Sequence, residues 1–229
     1  MGRLPSLAAV TALAALAGAA PAQDSSVAPG INERFLEGRN YSEFVDSFER
    51  EGREIFDRRQ ELLKAVGLKA GMSVADIGAG SGLFTYLFAH EVGPGGKVYA
   101  VDINQVMIDN IVRRSRELGY GHVEGKLGSA KEVPLPPGSL DVAFTSDVYH
   151  HFEYPQLMLR AIRAALKPGG AFIIIDFERI PGVTNARVLE HVRAGKQAVI
   201  GEVEAEGFRF VEERKLLKQN YFVRFEKPR

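Results

Sequence analysis

The sequence predicts an α/β fold: a mostly parallel sheet with helices on both faces. Short apolar runs bounded by glycine, proline or polar clusters alternate with stretches of helical periodicity along most of the chain. A cluster of three glycines stands directly between the first such run and a helix. The run Ala171 to Phe177, AFIIIDF, is so continuously apolar that it must be covered on both faces, as interior strands of parallel sheets are. A length of 229 residues fits one domain with a modest extension, and 45% hydrophobic residues can fill a sizeable core.

The elements follow in order. Residues 1–22, MGRLPSLAAVTALAALAGAAPA, carry one charge, Arg3, then an apolar run and a small-residue exit at Ala20-Pro21-Ala22. That pattern describes a secretory signal peptide, and the run is too short for a stable membrane span. Export, to the periplasm of a diderm bacterium, is the expectation; a cytoplasmic protein with an Ala-rich amino terminus is the alternative. Residues 23–30 are polar and small, a flexible linker. Residues 31–66 place Phe44, Phe48, Ile55, Leu62 and Leu63 at helical spacing, giving an amphipathic helical extension. The main domain then spans 67–229. Strands are predicted at Ser73–Ile77, Lys97–Asp102, Val123–Leu127, Leu140–Ser146 and Ala171–Phe177. Helices are predicted at Leu83–Glu91, Gln105–Leu118, Pro155–Leu166 and Gln197–Glu206, the third stopped by Lys167-Pro-Gly-Gly170. Phe208–Leu217 and Tyr221–Glu226, joined by a short turn, suit an antiparallel hairpin.

Composition excludes several chemistries. Without cysteine there are no disulfides, thiolate metal sites or cysteine nucleophiles. With Lys+Arg and Asp+Glu both at 29, no basic footprint for nucleic acid or a membrane surface is present.

The first strand opens a nucleotide-type site. Val74 to Leu83 reads VADIGAGSGL, with Gly78, Gly80 and Gly82 between strand and helix. Glycines there let a ligand approach the main chain, and the helix start offers free N–H groups. The GxGxG spacing departs from the dinucleotide fingerprint, and no P-loop motif is present. Asp102 ends the second strand, where a carboxylate accepts hydrogen bonds from two ribose hydroxyls. The plainer alternative is a tight turn with Asp102 as a helix cap.

VADIGAGSG followed by VYAVDIN closely resembles the class I S-adenosylmethionine-dependent methyltransferases, with support from LPPGSLDVAF, DVYHHF and LKPGGAFIIIDF. The resemblance covers roughly residues 62–227 and implies a Rossmann-like, seven-stranded, mostly parallel sheet with an antiparallel C-terminal strand. It implies S-adenosyl-L-methionine as cosubstrate. Asp76, Gly78, Gly80 and Gly82 match the loop that holds the methionine part, Asp102 the ribose acid and Ile103 the apolar residue beside adenine. Where relatives carry Gly-Asp-Ala against the adenine amino group, this chain has Gly128-Ser129-Ala130, so Ser129 offers a weaker acceptor than a carboxylate. Glu132 is the substitute in another register.

Ser146 to Phe152, SDVYHHF, follows the fourth strand, on the ligand side of such a sheet. Asp147, Tyr149, His150 and His151 therefore stand near the acceptor. Asp147 is a candidate to bind it, and His150 or His151 to take a released proton, against a plain capping or hydrogen-bonding role. Asp176 and His191 are weaker candidates, His191 in a segment expected to lid the site. Phe35, Tyr41 and Phe44 either close the cleft or pack in the core. A metal held by Asp147, Asp176 and a histidine is set aside, because Phe177 follows Asp176 where another oxygen ligand would be needed. The reading is methyl transfer to a small-molecule acceptor, without metal or nucleic acid. An exported, non-enzymatic S-adenosylmethionine- or nucleoside-binding module is the alternative.

Overall fold

The computed structural model describes residues 23–36 and 41–229; the expected signal peptide lies outside the described residues. Seven strands form one sheet in the order β3-β2-β1-β4-β5-β7-β6. They are β1 Ser73–Ile77, β2 Lys97–Asp102, β3 Val123–Leu127, β4 Leu140–Ser146, β5 Leu166–Phe177, β6 Arg209–Arg214 and β7 Asn220–Glu226. The first five pair in parallel, and β7 runs antiparallel between β5 and β6. The predicted fold class is the observed one. The chain winds outward from β1 to β3, then returns to lay β4 on the other side of β1. That reversal opens a crevice beyond the carboxyl ends of β1 and β4, where ligands of open α/β sheets bind.

Helices precede and cover the sheet: α1 Glu33–Leu36, α2 Tyr41–Phe48, α3 Glu54–Asp57, α4 Arg59–Val66, α5 Leu83–Val92, α6 Gln105–Glu117, α7 Pro155–Ala165, α8 Ala186–His191 and α9 Lys196–Ala205. None of the described helices is long and apolar enough to cross a membrane.

The continuous apolar runs still alternate. Ile173, Ile175 and Phe222 face one core with Leu62, Val66 and the aromatic group Phe84, Phe88 and Phe144. Phe172, Ile174 and Val223 face the other, with Leu159 and Ile162 of α7 and Val199 and Val203 of α9. Two covered faces explain why Ala171 to Ile175 of β5 carries no polar residue before Asp176.

The start of β5 departs furthest from the sequence prediction. The Lys167-Pro-Gly-Gly170 stop lies inside β5: Leu140 pairs with Leu166 and Val142 with Ala171, so the intervening residues bulge from the ladder. Gly169 N–H donates to Lys227 O and Lys227 N–H to Gly170 O, which satisfies the bulge from the chain's end. Residues 23–30, read as a linker, lie against the turn after β4. Val27 N–H and Gln23 Nε2 both donate to Glu153 O, and Ser26 Oγ donates to Glu153 Oε2.

Candidate active site

The carboxyl ends of β1, β2 and β4 open into one cavity of about 660 Å³. That size lies within the ~300–1,000 Å³ typical of small-molecule sites.

At one end is the glycine turn. Gly78 N–H donates to Val101 O at 2.8 Å, which folds the turn back over β2. Gly78 has φ +73°, and a Cβ there would meet both Val148 methyls at 2.5 Å. Only glycine keeps this stretch of main chain against the fourth-strand loop and open to a ligand. Asp102 faces the turn. Its Oδ2 accepts from Gly80 N–H at 2.9 Å and its Oδ1 from Asn104 N–H at 2.9 Å. Each oxygen keeps a second lone pair, and the residue lines the cavity, so the carboxylate is oriented without being saturated. Asp102 therefore orders the loop as well as facing the cavity. Burial raises its pKa, against the lowering effect of these backbone donors.

Asp76 is buried at the end of β1 and accepts from Thr85 Oγ1 at 2.7 Å. Burial, opposed by that bond and assisted by the nearby Asp102 charge, pushes its pKa up to about 7. Ile103, Ser129, Ala130 and Glu132 line the same cavity. Ser129 Oγ already accepts from Lys131 N–H at 3.2 Å, within a tight turn, and its side of the cavity is exposed.

At the other end are the residues after β4. Asp147 has φ +53°, a left-handed backbone that aspartate tolerates better than most side chains. Its Oδ2 accepts from Arg53 Nη2 at 2.5 Å and its Oδ1 from Asn220 Nδ2 at 2.6 Å. Burial raises its pKa and Arg53 pulls the other way. The carboxylate thus ties the helical extension to β7, a joining role the sequence does not reveal. His150 is buried, its Nδ1 2.7 Å from Asp176 Oδ1 and its backbone N–H donating to Asp176 Oδ2 at 3.0 Å. Burial lowers the His150 pKa, but Asp176 and Asp147 outweigh it and the net direction is up. His151 behaves oppositely: burial, then the neighbouring His150 and His191, push it down to about 2. His191, on α8, brings Nε2 to 3.3 Å from His151 Nε2. Its pKa is also lowered, first by burial and then by His150 and Arg34.

Tyr149 does not join this group. Its ring is buried in the core between the sheet and α9, and its hydroxyl donates to Glu202, which Arg193 holds in a bidentate pair at 2.7 Å. Phe35 lines the cavity and stacks on buried Phe44. Tyr41 donates to Ser81 O at 2.6 Å, pinning α2 onto the glycine turn. Phe48, Arg53 and Asn220 line the cavity too. Sequence reasoning misses the functional position of Arg53 and Asn220, because each meets Asp147 only through long-range folding.

Comparison with known proteins agrees with this geometry. A family described as the methyltransferase domain matches residues 68–221. The chain is 27% identical over 151 residues to the ubiquinone/menaquinone biosynthesis C-methyltransferase UbiE of Pseudomonas fluorescens, covering 64% of this chain and 59% of that relative. To the protein of the same name from Hahella chejuensis it is 32% identical over 114 residues, covering 49% and 46% respectively. The chain thus spans about half the length of these curated relatives. The crystal structure of a SAM-dependent methyltransferase from Aquifex aeolicus superposes with a TM-score of 0.73 at 27% identity, covering 83% of this chain and all of that one. With a matching family over two-thirds of its length, and a glycine turn and the Asp102 carboxylate lining one cavity, the chain belongs to the class I S-adenosylmethionine-dependent methyltransferases, with S-adenosylmethionine as cosubstrate.

Proposed function

We propose that the protein transfers a methyl group from S-adenosylmethionine to a small-molecule acceptor held between the glycine turn and the histidines after β4. One observation carries the reading: a single cavity joins Gly78, Gly80 and Asp102 at one end to Asp147, His150, His151 and His191 at the other.

The residues present fit the cosubstrate. The glycine turn lays main chain along the cavity wall, with no Cβ at Gly78 to collide with Val148, and Asp102 keeps free lone pairs for two hydroxyls. Bound there, S-adenosylmethionine supplies a methyl group already activated by its sulfonium. The protein's part is to hold the acceptor in line and exclude water. Phe35 and Phe48 wall the cavity against solvent from the helical extension. An acceptor that loses a proton needs a base, and His150, held by Asp176 and raised in pKa, is the histidine suited to it. The names of the curated relatives make quinone-type rings the first acceptors to screen, and the phenylalanine-lined wall suits an aromatic ring.

The amino-terminal 22 residues support export of the mature chain. They also favour the second reading, an exported binding module without turnover. Incubating the chain with methyl-labelled cosubstrate and a panel of phenolic and quinone-type acceptors tests both. Label in an acceptor supports transfer. Tight cosubstrate binding with no transfer to any acceptor favours the binding module.

A further inference from the structure

We infer that His150, His151 and His191 form a binding site for one divalent first-row transition ion, zinc foremost, inside the cleft. The ligand atoms these rings offer all lie within 4.8 Å of one another. His151 Nε2 and His191 Nε2 are closer, at 3.3 Å. Zinc–imidazole bonds of ~2.0–2.1 Å at a tetrahedral angle set two ligand nitrogens about 3.3–3.4 Å apart. These two rings therefore already stand at ligand separation.

His150 is the fixed member. Its Nδ1 faces Asp176 Oδ1 at 2.7 Å, and Asp176 Oδ2 accepts the His150 backbone N–H. With Nδ1–H given to the carboxylate, Nε2 carries the lone pair. This is how an outer carboxylate orients a metal-binding histidine and raises its basicity. Asp176 is 1% exposed and also accepts Phe177 N–H, so the support is rigid. Arg34, which also lines the cavity, is the opposing cation.

The set differs from the acid-based one set aside on sequence grounds: Asp176 acts behind a ligand, and Asp147 is committed to Arg53 and Asn220. Imidazole ligands suit zinc, copper, iron and nickel. Three protein ligands, with a position left for water or substrate, is the pattern of a catalytic zinc site. All three histidines line the cavity of the glycine turn. An acceptor oxygen or nitrogen would take the remaining position, and with the ion bound it is the ion, in place of a free histidine, that would ease the loss of the acceptor's proton. That last step rests on the methyl-transfer reading; the metal site does not.

The test is titration of the chelator-treated full chain with Zn²⁺ by calorimetry and with Co²⁺ by visible absorption, alongside a separate titration with S-adenosylmethionine. One ion per chain is expected, with the d–d bands of low-coordinate Co²⁺. His151→Ala and His191→Ala, checked for fold by circular dichroism, should each weaken binding at least tenfold. Asp176→Asn should weaken it about 10–100-fold. His191 is half-buried on a short helix, so its variant keeps the test open if a buried one fails to fold. No saturable metal binding by folded protein, or equal affinity in the His151/His191 double variant, overturns the inference. Metal binding without S-adenosylmethionine binding keeps it and removes the methyl-transfer reading. S-adenosylmethionine binding without metal binding does the reverse.

Discussion

Asp102 does two jobs with one carboxylate: it accepts the Gly80 and Asn104 N–H groups, and it faces the cavity. Hydrogen bonds to a charged group contribute ~1.5–3 kcal/mol each. Asp102→Ala, which removes the acceptor for two hydroxyls, is therefore expected to weaken S-adenosylmethionine binding by a factor of ~100 or more, and calorimetric titration reads it directly. Affinity equal to the wild type would place the ribose elsewhere. Asp76 gives a pH-dependent signal instead. Burial pushes it up to about 7 from an ordinary 3.8. Between those two values the native state holds a proton that the unfolded chain has released, so stability falls as pH rises through that window and levels off above it. Asp76→Asn keeps an acceptor for Thr85 and removes the ionisation. Urea unfolding should show the variant exceeding the wild type at pH 8 by at least ~1 kcal/mol, with a flatter profile from pH 4 to 7. An unchanged slope would mean that Asp76 titrates as an ordinary carboxylate.

At the scale of elements, what was legible in the sequence depended on how local its cause was. The glycine turn, Asp102 and the edges of β1, β2 and β4 come from residues adjacent in the chain, and they stand where the periodicity and the motifs place them. The Lys167-Pro-Gly-Gly170 stretch looks like a turn because its residues are turn residues. It becomes a bulge inside β5 because Lys227, at the far end of the chain, completes its hydrogen bonds. The meeting of His191 with His151, and of Arg53 and Asn220 with Asp147, spans 40, 94 and 73 residues of sequence. No periodicity encodes such pairings. The Arg53–Asp147 pair joins the extension to the cleft, with side chains 22% and 11% exposed. Removing one partner from a buried pair leaves an uncompensated charge; partial exposure here reduces the loss to ~1–3 kcal/mol. Arg53→Met is expected to lower the urea midpoint accordingly, and Arg53→Met with Asp147→Asn to recover part of it. A double variant as unstable as the two losses added would show that the residues act independently.

Across the whole molecule, the helical extension and the approach to β7 converge on the cleft. Glu54 at the start of α3 accepts the N–H groups of Lys218 and Gln219, at 2.8 Å each, just before β7. Asn220 then reaches Asp147. The extension divides in two at this point. Ile55, Leu62, Leu63 and Val66 belong to the core against the sheet, with Leu62 and Val66 fully buried. Phe35, Phe48 and Arg53 belong to the cavity wall. A chain beginning at Glu54 should therefore keep its core and its cooperative unfolding, while its cavity opens along one side. With the glycine turn and Asp102 retained, S-adenosylmethionine binding should weaken by a factor of ~10 or more, because ligand surface once sealed from water becomes exposed. Transfer should fall further than binding, since water then reaches the reacting groups. Calorimetry and single-turnover label transfer on the truncated and intact chains separate the two effects. Equal losses in both would show that the extension only binds. A truncated chain that fails to unfold cooperatively would show instead that residues before Glu54 are part of the core.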